Sequence, residues 1–166
     1  MPPRVPEPTR PADNKQAPAS PSDAAVLKTL NAYRQLAGLN PVRLDAQLSE
    51  GCLAHARYLA RNFRHPSTSG LGMHKENRDL EGYSEKGAIA GARSVIANEL
   101  GNRRIAWQTG SVDLWMASLY HRLPLLHPEL QRVGFGSAES VEYAYRVAAL
   151  DAQSGVNRRR GTSSRL

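Results

Sequence analysis

Apolar positions recur at steps of three and four along most of the chain, which predicts helices. In AAVLKTLNAYRQLAGL, Val26, Leu30, Tyr33 and Ala37 fall on one side, behind a cap at Ser22 or Asp23. Gly38 is placed to end this helix, and Pro41 opposes a restart. Asp45 opens a second helix, AQLSEGCLAHARYLARNF, with Leu48, Cys52, Ala56, Leu59 and Phe63 as its stripe. Gly51 inside it costs about 1 kcal/mol of propensity, which predicts close packing against another element.

The pattern breaks over HPSTSGLGMHKENRDLEG, a polar stretch from His65 to Gly82 of the kind that more often carries function than fills space. A third helix is expected around SEKGAIAGARSVIANEL. The fourth is VDLWMASLYHR, capped by Ser111, with Val112, Trp115, Met116 and Leu119 as its stripe. LPLLHPEL breaks twice at proline. RVGFGSA and VEYAYRVAALD read as two strands joined near Glu139 and Ser140. Helices packed on a small, mainly antiparallel sheet make an α+β fold.

Composition sets the boundaries. The chain has 166 residues, one domain's worth of material. A Pro/Ala/Ser-rich leader over 1–22 and QSGVNRRRGTSSRL over 153–166 are expected to be disordered, leaving the domain at 23–152. The net charge is +7. Its largest share is the tail, where Arg158, Arg159, Arg160 and Arg165 meet no acid, while the middle holds 15 basic and 13 acidic residues. A basic tail adds salt-sensitive attraction to phosphates, and no specific nucleic-acid partner is expected. No apolar run reaches the length of a signal peptide or a membrane span. Cys52 stands alone, so no internal disulfide forms, and its surroundings predict a buried thiol.

Familiar catalytic signatures are missing: no P-loop, no HExxH, no G-x-S-x-G elbow. What remains are histidines and glutamates. His74 and Glu76 share a loop that converges on a cleft, with Glu81 and Glu85 just beyond, and His121 ends the fourth helix, where the dipole favours an imidazolium. Such groups hold a divalent cation or act as acid and base; equally, they serve as structural or surface residues. His55, between Ala54 and Ala56, is expected to pack against another element with a ring nitrogen hydrogen-bonded. Trp115 belongs to the core stripe.

LNAYRQLAGLNPVRLDAQLSEGCLAHARYLARN, GMHKENRDLEGYSEKGAIAGARSVIA and VDLWMASLYHRLPLLHPELQRVGFGSA, in that order, resemble a bacterial CAP-superfamily domain (SCP-like; cysteine-rich secretory protein, antigen 5, pathogenesis-related 1) over about 24–151. The most specific parts are Asn31-x-x-Arg34 leading into GLNPVRLD, and the Trp115-to-Arg122 segment running on to VGFG. The resemblance implies an α-β-α sandwich with four helices. It also implies a cleft lined by two histidines and two glutamates that takes Zn²⁺ or Mg²⁺ in some members. His121 matches one histidine, with Tyr120 in place of the usual glycine, and His74 matches the other. The first glutamate falls on Glu85 only with an offset; direct register gives Gly87. The second falls on Ser118, and Glu76 would be a substitute. The cleft set is therefore His74, His121, Glu76, Glu85 and Ser118, with His74 and His121 as the metal candidates.

The resemblance implies a monomeric, non-enzymatic, secreted or envelope-associated module that binds a small apolar ligand or an extracellular macromolecule. The alternatives are a metal-dependent peptidase or esterase using His74, His121 and a glutamate, and a lipid- or sterol-binding protein. The chain begins at Met1 without an export signal, so a cytoplasmic member stands as the other localisation.

Overall fold

The computed structural model describes residues 21–101 and 107–157. In chain order these form α1 (Pro21–Leu36), β1 (Arg43–Leu44), α2 (Ala46–Arg61), two 3-10 turns (Pro66–Thr68 and Gly70–His74), α3 (Glu85–Arg93), β2 (Ser94–Leu100), α4 (Trp107–Ala117), α5 (Leu119–Leu125), β3 (Arg132–Ser140) and β4 (Tyr145–Asp151). The sheet order is β1-β3-β4-β2. β4 pairs antiparallel with both neighbours, and the two residues of β1 run parallel to β3 at Arg43↔Arg132 and Leu44↔Val133.

Strand alternation sorts the core into two layers. Val95, Ala97, Val133, Phe135, Ala148 and Leu150 face Val26 and Leu30 of α1, Val112 and Trp115 of α4 and Leu125 of α5. Ile96, Tyr145, Val147 and Ala149 face Cys52, Ala56 and Leu59 of α2 and Ala90 of α3. Helices thus cover both faces of one sheet, the expected α+β sandwich. No helix among the described residues is long and apolar enough to cross a membrane.

Helix α1 continues its buried stripe one turn further than apolar residues do. Arg34, four after Leu30, is fully buried. Its Nε donates to the Asn40 carbonyl at 2.9 Å, Nη1 to those of Leu125 at 2.7 Å and His127 at 3.2 Å, and Nη2 to that of Leu130 at 3.3 Å. Backbone dipoles take the place of a counter-ion, and carbonyls left beyond α5 acquire donors. Asn31 pairs both ways with Val42, donating to its carbonyl at 2.9 Å and accepting its N–H at 2.8 Å. The Asn-x-x-Arg pair therefore fixes the chain on both sides of the turn at Gly38, whose φ is +69°.

Asp45 caps α2 as expected, its Oδ1 accepting from the N–H groups of Gln47 (3.0 Å) and Leu48 (3.1 Å), while Oδ2 takes Arg132 Nη1 at 2.7 Å. Helix α2 then lies directly on β3. A Cβ at Gly134 would strike the Leu48 backbone, and one at Gly136 the Leu53 backbone. Gly51 is also close, though less tightly: its Cβ would sit 3.1 Å from both Ala90 Cβ and the Lys86 carbonyl of α3. That is the close packing its place in the helix predicted.

Several expectations change. The third helix stops at Arg93, and SVIANEL is a strand, because its first four residues are all buried between helical layers and show no alternation. The fourth helix begins at Trp107, with Ser111 inside it donating from Oγ to the Gln108 carbonyl at 2.7 Å; it breaks at Ser118, so five α-helices stand among the described residues. Pro124 sits within α5 rather than ending it, and the chain leaves the helix before Pro128. The hairpin turns over 141–144, beyond Glu139 and Ser140, with Ala144 at φ 47°. Beyond Ala152 the chain stays against the domain: the Gly155 carbonyl accepts from Gln131 N–H at 3.0 Å, and Asn157 N–H donates to the Glu129 carbonyl at 2.9 Å. Of the leader, Pro21 and Ser22 belong to α1; residues 1–20 and 158–166 lie outside the described residues.

Two substitutions test this packing. Gly136→Ala has backbone rather than a yielding side chain to displace, so chemical denaturation should show a loss of about 3 kcal/mol or more, at the upper end of overpacking costs. Arg34→Met keeps the apolar stem but strips donors from four carbonyls, and the same measurement should show a loss of about 3 kcal/mol, with α1 fraying in hydrogen exchange.

Candidate functional site

The two histidines expected to line a cleft come from opposite layers. His74 ends the second 3-10 turn, half-buried, and its Nδ1 donates to the Gly91 carbonyl at 3.1 Å. In the neutral ring that bond places the proton on Nδ1 and leaves Nε2 as an acceptor. His121 is the third residue of α5, also half-buried. Because the helix breaks at Ser118, His121 lies near the start of a new helix rather than the end of the fourth, and the dipole argument for an imidazolium reverses sign. Desolvation lowers its pKa from the ordinary 6.5, and the charge of a protonated His74 lowers it further, so the two rings lie within electrostatic reach.

The remaining cleft candidates go elsewhere. The Glu76 side chain is completely buried: Oε1 lies 3.0 Å from His55 Nδ1, and Oε2 accepts the Ser84 N–H at 2.9 Å. Both carboxylate oxygens are engaged beneath the loop instead of facing His121. Glu85 is exposed in the first turn of α3, behind the capping Ser84, whose Oγ accepts from Gly87 N–H at 3.1 Å. Ser118 occupies the N-cap position of α5, but its side chain caps no N–H. Glu81 pairs with Arg61 at 2.8 Å on the surface.

His55 proves the hub of this region. It is fully buried, as its place in α2 predicted, and both ring nitrogens are engaged, Nε2 with the Met73 carbonyl at 2.8 Å and Nδ1 with Glu76. A carbonyl only accepts, so Nε2 carries a proton; the short Nδ1–Oε1 contact then requires one more proton between the two groups. Gly91 lies against the ring, where any Cβ would strike it, and its carbonyl orients His74. Tyr58 Oη accepts the Asn77 N–H at 2.9 Å. These bonds tie the loop from Met73 to Ser84 down onto α2 and α3. Cys52 is buried nearby, 3.8 Å from Ser94 Oγ, with burial pushing its thiol up to about 12, which makes it inert.

Among the described residues, no group of three or more His, Cys, Asp and Glu side chains is placed to hold a metal. His74 and His121 alone fall short of the three or four protein ligands of a zinc site. Large apolar side chains close in sequence to each histidine stand exposed: Leu71 three residues before His74, and Leu119 and Tyr120 directly before His121.

The pair gives a titration test. By NMR, His121 should titrate below 6.5, and His74→Gln should raise its midpoint without reaching that value, because desolvation persists. Since the folded pKa is depressed, the unfolded chain binds the proton more readily. The contribution to stability is complete above pH 6.5 and declines as pH falls through the folded midpoint.

The sequence model of the cysteine-rich secretory protein family (CAP) matches residues 27–149. A search of curated proteins finds no match. Among solved structures, an outer surface protein from Borrelia burgdorferi superposes with a TM-score of 0.50 at 13% identity, over 78% of this chain and 89% of that one. An extracellular protein containing a SCP domain from Bacillus anthracis gives a TM-score of 0.47 at 13% identity, over 82% of this chain and 45% of that one. With the matched region spanning both helical layers and all four strands, the chain belongs to the CAP family.

Proposed function

We propose that this CAP domain is a non-catalytic binding module, secreted or held at the cell envelope, whose cleft between His74 and His121 takes a small apolar or amphipathic ligand. The observation that carries the reading is the fate of Glu76. Its carboxylate is enclosed and engaged by His55 and Ser84, and among the described residues no group of three His, Cys, Asp or Glu side chains is placed to hold a metal. Two half-buried imidazole rings suit hydrogen bonding to a hydroxyl or carbonyl head group. Leu71, Leu119 and Tyr120 are exposed apolar side chains within three residues of the two histidines, which favours a lipid- or sterol-like body over a purely polar ligand. The family's description as secretory supports action outside the cytoplasm.

Calorimetric titration of Zn²⁺ and Mg²⁺ into metal-stripped protein, beside His121→Ala, separates this from hydrolysis. No stoichiometric micromolar binding is expected in either protein. A fluorescent fatty acid should bind saturably, with affinity falling about tenfold in Tyr120→Ser as an apolar ring leaves the contact. Tight metal binding lost in His121→Ala, with metal-dependent ester or peptide turnover lost alongside it, would sink the proposal in favour of a metallohydrolase.

A further inference from the structure

A concavity of about 510 Å³ lies where the chain from Ala152 to Asn157 folds back against the loop after α5; its lining includes Pro124, His127, Glu129, Gln153, Val156 and Asn157, and neither His74 nor His121. Both walls are pinned. Arg34 holds one from beneath through the carbonyls of Leu125, His127 and Leu130. The other is fixed by Asp151, whose Oδ1 accepts the N–H groups of Gln153 (3.0 Å) and Ser154 (2.9 Å). The two are stitched together by the Asn157–Glu129 and Gln131–Gly155 backbone bonds and by the Leu130↔Val156 bridge. A shape held this way needs little ordering to receive a ligand.

The polar groups at its rim are matched to hydroxyls. His127 Nδ1 accepts the Glu129 N–H at 3.1 Å, so the neutral ring presents Nε2–H as an oriented donor. The side chains of Glu129, Gln153 and Asn157 have no partner among the described residues. Together they offer one carboxylate acceptor and two amides that both donate and accept. Adjacent sugar hydroxyls, each donor and acceptor at once, satisfy such a set in pairs, while Pro124 and Val156 offer apolar surface to a sugar's C–H face. Among the described residues the lining contains no Lys or Arg and one carboxylate. The volume falls in the small-molecule range of roughly 300–1,000 Å³. We infer that this concavity is a binding site for a saccharide of one or two rings, separate from the proposed histidine cleft and independent of its role.

The test is an amide NMR titration of the full chain with methyl β-glucoside, N-acetylglucosamine and chitobiose, each to about 50 mM, a range suited to millimolar affinity. Saturable shifts at Gln153, Val156 and Asn157 from at least one sugar are expected, with affinity at least fivefold weaker in Glu129→Gln and in Asn157→Ala. Both side chains are exposed, so each variant should keep the wild-type thermal transition. No saturable shift from any of the three sugars, or equal affinity in wild type and both variants, would overturn the inference. A response to butylamine but to no sugar would overturn it too, assigning Glu129 to a cation site instead.

Discussion

Everything on the α2 side of the sheet depends on how closely that helix approaches its neighbours. Gly134 and Gly136 of β3 let α2 rest on the strand at backbone contact, and Gly51 of α2 admits α3 to a close but looser contact. The sheet supplies two flat positions, the helix supplies one, and the apolar stripe closes the rest. With α2 at this depth, His55 reaches beneath the loop to Glu76 and Met73, and Gly91 of α3 can lie on its ring. A helix lifted by even a methyl group would break that reach, and with it the anchoring of the segment that carries His74. Packing density of this kind transmits displacement instead of absorbing it.

The other layer is organised by buried polarity. Arg34 enters the core without a carboxylate and is satisfied by four carbonyls from two loops. Removing such a cation from water is costly unless its donors are paired, and here pairing binds the start of β1 and the end of α5 to one point on α1. Asn31 and Asp45 extend the arrangement, joining Val42, Arg132 and the first turn of α2. The loop anchored by Arg34 also forms one wall of the concavity beside Asn157, so a residue far from either surface sets its shape.

Much of this was legible in the sequence because local rules and tertiary needs agree. Asp45 caps α2, Gly38 ends α1, Val26 and Leu30 bury one face, and RVGFG and YRVAALD pair as strands. Legibility failed where tertiary context decides. SVIANEL carries no period of two, since its first half is covered on both faces, and it follows directly from helical AIAGAR. Pro124 falls late in a short helix, where the carbonyl it leaves without a donor belongs to exposed Tyr120. Gln153 to Asn157 lacks apolar density, but its backbone finds partners in Glu129, Gln131 and Arg132. His74 and His121 were named from resemblance to the family's motifs. The partner of Glu76 was not, because His55 stands 21 residues away on another element and nothing local selects it.

The departures at Gly87 and Glu76 are one structural choice rather than two. A Cβ at position 87 would strike the Glu76 carboxylate and crowd Ser84 Oγ. A glutamate at that register, as the family's cleft would have it, is therefore incompatible with Glu76 in its present place. Glycine at 87 makes room for a carboxylate that enters from the loop, meets His55 and accepts the Ser84 N–H. Restoring a glutamate at 87 would have to expel Glu76, leaving His55 Nδ1 without its partner inside the protein, where an unpaired polar group costs most. The acid in this region thus holds the loop in place, with its charge directed inward. Fold alone does not determine chemistry; in this chain Gly87 carries no carboxylate, and the buried carboxylate of Glu76 is committed to His55 and the Ser84 N–H.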